Sequence, residues 1–372
     1  MAKSSKSRKR QSTKKTSPKQ NKIVKMEFGG KEKEVELYSK FDFDGFDKDT
    51  VIEWYKLNNL GRKLDEKAAL YLKMAKGWSY HAPFAGHDGI QLAVGRIFRE
   101  NKDYLFPYYR DMMTSLSAGL SPVEIILNGL SKDTDVAGGG RHMSNHFAKP
   151  EANVENVSSC TGNHSLHAAG VGRAIKKYEG DEIAICSTGE SAVAEGYYYE
   201  AVNAACYDKS PVIFVIQNNK YGISVPLRDA SANLVVSDNF KGMKNLKIIE
   251  CDGRDPFDSY RALEEAKKYI ESGKGPAMIH ADCDRIQSHS NSDRHENYRP
   301  KDELEAVARR DPMLQFRWHL LDKKYLSEEE LKEIEEDIKQ QMFDAADEGE
   351  AAPDADGGSW NKYIRTEPEL GP

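Results

Sequence analysis

DEIAICSTGESAVAEGYYYEAVNAACYDKSPVIFVIQNN, residues 181–219, decides the fold. Its first part, DEIAICSTG, is an apolar run of strand length that stops at Thr188 and Gly189. AEGYYYEAVNAACY (194–207) carries a helical pattern, and PVIFVIQNN (211–219) is a second continuous apolar run. Runs that do not alternate with polar residues read as strands buried on both faces, the usual condition of parallel sheets. Strand, helix and strand in one short span make a β-α-β unit with parallel strands. A further helix (258–272) then leads into a third strand, PAMIHAD (276–282). The expected fold is α/β, an open parallel sheet flanked by helices. Such sheets bind ligands at the carboxyl ends of their strands.

Working outward, IVKMEFGGKEKEVELY (23–38) reads as two alternating strands around Gly29 and Gly30, a hairpin or extended arm. Residues 48–75 are mainly helical in pattern, and 121–130 is a short helix with Pro122 at its first position. VAGGGRHMSNHF (136–147) is a Gly-rich loop with two histidines, and residues 163–178 read as a helix ended by Gly180. A last helix covers 327–341. No internal repeat is present.

Composition sets the outer limits. The chain has 372 residues, a net charge of −6 and 39% hydrophobic residues, few enough to suggest a core carrying polar tails. No apolar run reaches membrane-spanning length and no secretory pattern opens the chain, so the expectation is a soluble, cytoplasmic protein rather than one of the mitochondrial matrix. The five cysteines are scattered, with no C-x-x-C, which fits a reducing compartment. Residues 2–25 are rich in Lys, Arg, Ser and Thr and contain no acid, as expected of a solvated tail without specific nucleic-acid binding. DAADEGEAAPDADGGS (344–359) is acidic, and flexibility is expected there as well.

The chemistry gathers at two strand ends. Glu190 follows the first strand of the β-α-β unit, and Asn218 and Asn219 follow the second. Adjacent parallel strands bring these tips together, so Glu190 and Asn219 offer hard oxygen ligands in one crevice, with the carbonyl of Tyr221 as a third. Such ligands suit Mg²⁺, which leaves coordination positions for phosphate oxygens. Helix amino-terminal N–H groups beginning near Ser191 would favour the same anion. A glutamate after a strand is also an ordinary helix cap and Asn-Asn an ordinary turn; on composition alone that plainer reading stands ahead.

TGESAVAEG followed by QNNKYGIS resembles the thiamine diphosphate signature of the alpha subunit of 2-oxo acid dehydrogenase complexes, with Glu190 and Asn219 twenty-nine positions apart. The resemblance runs from about residue 54 to 298. FPYYRDM (106–112) looks like that family's Tyr-Arg segment, GGGRHMSNHF its Gly-rich segment, SSCTGNHSLHAAGVG (158–172) its Ser-Ser segment, and RIQSHSNSDRHENYR (285–299) its H-S-x-S-D…YR loop. It implies a thiamine diphosphate-binding α/β domain over 47–343, between a basic tail (1–22) with an arm (23–46) and an acidic flexible segment (344–372). It implies cofactor contacts from Tyr109, Arg110, Gly189, Glu190, Ser191, Ala192, Asn219 and His289, and Mg²⁺ held by Glu190, Asn219 and Tyr221. The Ser-Ser segment holds a potassium ion in some members. Ser191 stands where the family usually has glycine, which puts a side chain beside the diphosphate.

The same resemblance implies oxidative decarboxylation of a 2-oxo acid, pyruvate or a branched-chain one, and acyl transfer to the lipoyl group of an acyltransferase core. His289 is the implied catalytic residue. The acid that serves the aminopyrimidine ring comes from a beta subunit in this family, so an α₂β₂ assembly, or a chain fused to a beta domain, is implied. His142 and His146, four apart, are better read as cavity lining than as zinc ligands, since no third ligand lies near. Ser290, next to His289, is a candidate regulatory phosphosite: a phosphate adds about two negative charges there. An acetoin dehydrogenase alpha subunit and a non-catalytic scaffold of the same fold are the alternatives.

Overall fold

The computed structural model describes residues 21–156 and 158–362; most of the basic tail expected at 1–22 lies outside them. The chain begins with a hairpin, β1 (Lys22–Phe28) and β2 (Lys31–Leu37), followed by α1 (Lys48–Lys73), α2 (Asp88–Ile97) and β3 (Tyr104–Phe106). Then come α3 (Met112–Ser117), α4 (Pro122–Gly129), α5 (His164–Lys177), β4 (Ala184–Gly189), α6 (Gly196–Asp208) and β5 (Val212–Asn218). A small hairpin of β6 (Tyr221–Gly222) and β7 (Val225–Pro226) runs into the single turn α7 (Leu227–Ala230). The rest is β8 (Lys247–Asp252), α8 (Pro256–Glu271), β9 (Ala277–Asp282), α9 (Lys301–Arg309), α10 (Pro312–Asp322) and α11 (Glu328–Ala351).

Local chemistry sets these boundaries. Gly29 and Gly30 both adopt positive φ, 59° and 72°, the conformation a two-residue hairpin turn needs. Ser121 with Glu124 and Ser327 with Glu330 form reciprocal capping boxes at α4 and α11. Asp255 accepts from the Phe257 and Asp258 N–H groups to start α8, with Pro256 behind it.

Among the described residues the central sheet has five strands in the order β3-β4-β5-β9-β8, all parallel. Alternation along the strands divides the apolar interior in two. Ile185, Ile213, Val215 and Ile279 face a core shared with α1, α2, α8 and α10, whereas Ala184, Cys186, Phe214, Ile216 and Met278 face one shared with α5 and α6. Helices on both faces are therefore a requirement of strands apolar on both sides. The aromatic set Phe41, Phe43, Trp54, Phe257 and Phe316 closes the first core.

Two expectations need correcting. The sheet contains β3 and β8, which the pattern reading missed: β3 has three residues, and β8 is a half-exposed edge strand without a continuous apolar run. The acidic segment from residue 344 is not flexible at its start. α11 continues to Ala351, Met342, Ala345 and Ala346 are buried, and Gly349 lies where a Cβ would come within 2.4 Å of Ile126. Those four positions form a helical stripe of small and apolar residues, hidden by the surrounding acids. Beyond the helix, the Lys132 ammonium donates to the carbonyl of Ala352 (2.9 Å) and to Asp354 (2.8 Å). None of the helices among the described residues is long and apolar enough to cross a membrane.

His319 on α10 stacks on Phe41 and donates from Nε2 to the Ser39 carbonyl at 3.0 Å. Burial pushes its imidazole down to about 4. The folded protein thus keeps it neutral while the unfolded chain takes up a proton near pH 6.5, so stability is lost as the pH falls from 6.5 towards 4. His319→Gln removes this contribution. Its unfolding free energy, read by chemical denaturation, is expected to fall less steeply than the wild type's over that window, a difference of about 2 kcal/mol by pH 5; parallel curves would contradict the assignment.

Candidate active site

The register of the sheet builds the site. Gly189, the last residue of β4, pairs with Gln217 in β5, so the next residue of one strand and the last of the other emerge side by side. The Asn219 N–H donates to Glu190 Oε2 at 3.1 Å, and the Ser191 hydroxyl donates to Oε1 at 3.3 Å. Glu190 is 2% exposed, and burial raises its carboxyl above the usual range. Neutral groups supply these hydrogen bonds, so the buried carboxylate retains unshared capacity for a cation. After Gly189 the chain makes a 3₁₀ turn, Glu190–Ala194, and α6 begins at Gly196; the helix start expected near Ser191 is thus a tighter turn first.

These tips form one end of a cavity of about 540 Å³. Gly189, Ser191, Ala192, Asn219 and Tyr221 line it together with Tyr109, Arg110 and His289. Every residue assigned from sequence to the cofactor or metal therefore borders one space. Tyr109 and Arg110 reach it because β3 is parallel to β4 and ends at the same edge of the sheet. The Arg110 guanidinium donates to the Pro83 carbonyl (2.7 Å), the His289 carbonyl (3.0 Å) and His289 Nδ1 (3.2 Å). A guanidinium has five N–H donors, which leaves some for an anion in the cavity.

Because arginine only donates, the contact at Nδ1 makes that nitrogen the acceptor and leaves the proton of neutral His289 on Nε2. Burial, then Arg110 and Arg285, hold this imidazole down at about 3. The Tyr109 ring packs edge-on to it at 6.0 Å, and the backbone N–H of His289 donates to Asp293 at 2.7 Å. His289 is thus a neutral, oriented hydrogen-bond donor. Ser290 is 7% exposed with its hydroxyl 3.3 Å from that of Ser292, which is exposed.

The opposite wall comes from Tyr80, Met143, His146, Ser159 and His164. His146 Nδ1 donates to the Ser144 carbonyl (3.2 Å), and Nε2 accepts from the Ser159 hydroxyl (3.0 Å). His146 thus lines the cavity with both nitrogens engaged, whereas His142 does not border it. Among the described residues, no group of three or more His, Cys, Asp or Glu could hold a metal. A Mg²⁺ site made of one carboxylate, an amide oxygen and a main-chain carbonyl is outside that pattern; Glu190, Asn219 and Tyr221 carry oxygens of those kinds and border one cavity. In the Ser-Ser segment, Asn163 Oδ1 is buried without a partner among the described residues.

Ser191, the departure from glycine, is accommodated by Gly222. A Cβ on Gly222 would lie 2.4 Å from Ser191 Oγ and 3.0 Å from its Cβ. Beneath the cavity is a polar layer that sequence reasoning missed, formed by His87, Gln91, Asp111, Ser187 and Gln217. Its signal was the glutamine that opens the polar end, Gln217-Asn218-Asn219, of the run PVIFVIQNN. Lys220, at φ 75°, turns away from the cavity, donating to the Asn218 and Cys283 carbonyls.

Known proteins resemble this chain in sequence. The pattern of the dehydrogenase E1 component family matches residues 55–356. The 2-oxoisovalerate dehydrogenase subunit alpha of Bacillus subtilis is 31% identical over 307 residues, 82% of this chain and 91% of that protein. The pyruvate dehydrogenase E1 component subunit alpha of Acholeplasma laidlawii is 31% identical over 80% of this chain and 83% of that protein. Its Bacillus subtilis counterpart is 29% identical over 78% of this chain. The chain belongs to the dehydrogenase E1 component family, as an alpha subunit of a thiamine diphosphate-dependent 2-oxo acid dehydrogenase.

The Ser191–Gly222 contact gives a sharp test. Gly222→Ala is expected to destabilise the protein by about 1–3 kcal/mol through overpacking, and Ser191→Gly in the same chain to restore most of the loss. Chemical denaturation of both variants decides it; a double variant no more stable than Gly222→Ala would show that the two residues do not compete for one space.

Proposed function

We propose that this chain, assembled with a beta subunit, decarboxylates pyruvate or a branched-chain 2-oxo acid and passes the acyl group to the lipoyl group of an acyltransferase core. The observation that carries the reading is the pair of strand tips, Glu190 and Asn219, joined over a cavity that also holds Arg110 and His289. Glu190, Asn219 Oδ1 and the Tyr221 carbonyl would hold Mg²⁺. Arg110 and the chain at Gly189, Ser191 and Ala192 would face the diphosphate. When bound, thiamine diphosphate supplies a carbon nucleophile and an electron sink for loss of carbon dioxide.

The chain's own residues bind, orient and donate. His289 offers Nε2–H to an oxygen of the substrate or of the acyl group, and Arg110 fixes its ring and tautomer. Tyr109 covers the imidazole and restricts water. The carboxylates bordering the cavity are Glu190, committed to the metal, and Glu195, which is exposed at the head of α6. An acid supplied by a beta subunit is consistent with that shortage, whether in an α₂β₂ assembly or a fused beta domain. Asn163 is a candidate oxygen ligand for a potassium ion. A phosphate on Ser290 would need the 288–294 loop to open, because that side chain is buried. The accommodation of Ser191 by Gly222 favours an active site over a non-catalytic scaffold. A cytoplasmic location is part of the same proposal.

The test is dye reduction by the chain co-expressed with a beta subunit, across a panel of 2-oxo acids. His289→Ala is expected to lower turnover by about 10²-fold or more, the usual worth of a positioned acid–base group, with little change in cofactor affinity. Glu190→Ala is expected to weaken Mg²⁺-dependent affinity itself. Turnover untouched by both substitutions would contradict the residue roles.

A further inference from the structure

Asn219 has a side-chain amide whose two ends differ in function: only Oδ1 can serve a cation, and a half-turn about its last bond would offer an NH₂ group instead. Something must choose between them. On one side Oδ1 accepts from the Tyr221 N–H at 3.2 Å. On the other, Nδ2 lies 3.4 Å from Nε2 of His87. If that imidazole nitrogen carries a lone pair it accepts Nδ2 and repels a flipped Oδ1; if it carries a proton it selects the opposite, unproductive orientation.

The choice is made deeper in the protein. His87 is 0% exposed, and Nδ1 lies 2.8 Å from Gln217 Oε1. Gln217 is itself oriented by charge, since its Nε2 donates to Asp111 Oδ1 at 2.7 Å and to the Ser187 hydroxyl oxygen at 2.7 Å. A flipped Gln217 would set a carbonyl against a carboxylate. Its Oε1 therefore faces His87, and also accepts from Gln91 Nε2 at 3.0 Å. An amide oxygen can only accept, so His87 carries its proton on Nδ1 and its lone pair on Nε2. Both hydrogen-bond partners of the ring are neutral amides, so no contacting carboxylate stabilises a second proton on it.

We propose that His87 is a positioning residue, the last link of a relay from Asp111 through Gln217 to Asn219, which keeps Asn219 Oδ1, and not its NH₂ group, available to the cation that Glu190 and Asn219 would hold. It touches neither metal nor substrate. The relay transmits orientation alone: a fixed carboxylate sets an amide, the amide sets a tautomer, and the tautomer sets the metal-facing amide. Partners one step behind a metal ligand commonly govern affinity in this way. The inference rests on the cofactor reading given above, and the test is arranged to separate the two.

The chain co-expressed with its beta subunit is titrated with Mn²⁺ at saturating thiamine diphosphate, and free Mn²⁺ is read by electron paramagnetic resonance, with thermal midpoints measured in parallel. His87→Asn keeps a polar group near Nδ1 for Gln217 but removes the acceptor facing Asn219; His87→Gln keeps an acceptor near Nε2. His87→Asn is expected to lose about tenfold or more in Mn²⁺ affinity, and His87→Gln to stay within about threefold of wild type. Asn219→Ala is the control and loses affinity if the metal site is where it is assigned. If Asn219→Ala weakens binding but His87→Asn does not, the relay is wrong and the metal site stands. Equal losses in both His87 variants, tracking their thermal midpoints, reduce His87 to a packing residue and also overturn the proposal. If wild type binds no Mn²⁺, or Asn219→Ala binds as tightly as wild type, the cofactor reading fails and the relay with it. Should His87→Asn not assemble, Gln217→Met replaces it: with no acceptor for Nδ1–H the same loss is expected, and unchanged affinity overturns the proposal.

Discussion

The fixed pairing of β4 with β5 is the constraint on which the site depends. Gly189 opposite Gln217 brings Glu190 within reach of the Asn219 N–H. A shift of one residue would turn every side chain of a strand to the other face, exchanging the two cores and removing Glu190 from the crevice. Alternation between two apolar cores therefore protects the chemistry, because slippage would expose Ile213 and Val215 to one environment and Phe214 and Ile216 to the other. The same packing that stabilises the sheet sets the position of a carboxylate at its edge.

Burial explains the character of the groups at that edge. A carboxylate taken out of water without an arginine or lysine at hydrogen-bond distance is costly, and Glu190 is held by an N–H and a hydroxyl. In the proposed site a divalent cation would offset that cost. The histidines respond in the opposite direction. Burial and nearby arginines keep His87 and His289 uncharged, and their neighbours then settle which nitrogen donates. Opposite tautomers result: Gln217 places the proton of His87 on Nδ1, and Arg110 leaves that of His289 on Nε2. One imidazole lining the cavity and one beneath it thus act as donor and acceptor respectively.

Much of this was legible in the sequence because it depends on local pattern. Apolar runs ending in Gly-Glu and Asn-Asn marked both strand tips, and Ser121, Pro122 and Ser327 marked helix starts. What escaped notice depends on tertiary contact. β8 is a strand because β9 offers it an edge, and the acids of 344–351 are helical because Ala345 and Ala346 find a buried face. The polar layer under the cavity was hidden for a third reason: His87, Asp111 and Gln217 lie far apart in sequence and meet only when the sheet forms. The departure at Ser191 was visible, but its compensation at Gly222 needed the fold.

The most direct measurement of where the metal sits is anomalous diffraction from crystals of the assembled protein grown with Mn²⁺ and thiamine diphosphate. The expected result is one peak about 2 Å from a Glu190 carboxylate oxygen and from Asn219 Oδ1. A peak elsewhere, or Glu190 and Asn219 turned apart with the diphosphate bound by other groups, would contradict the central claim.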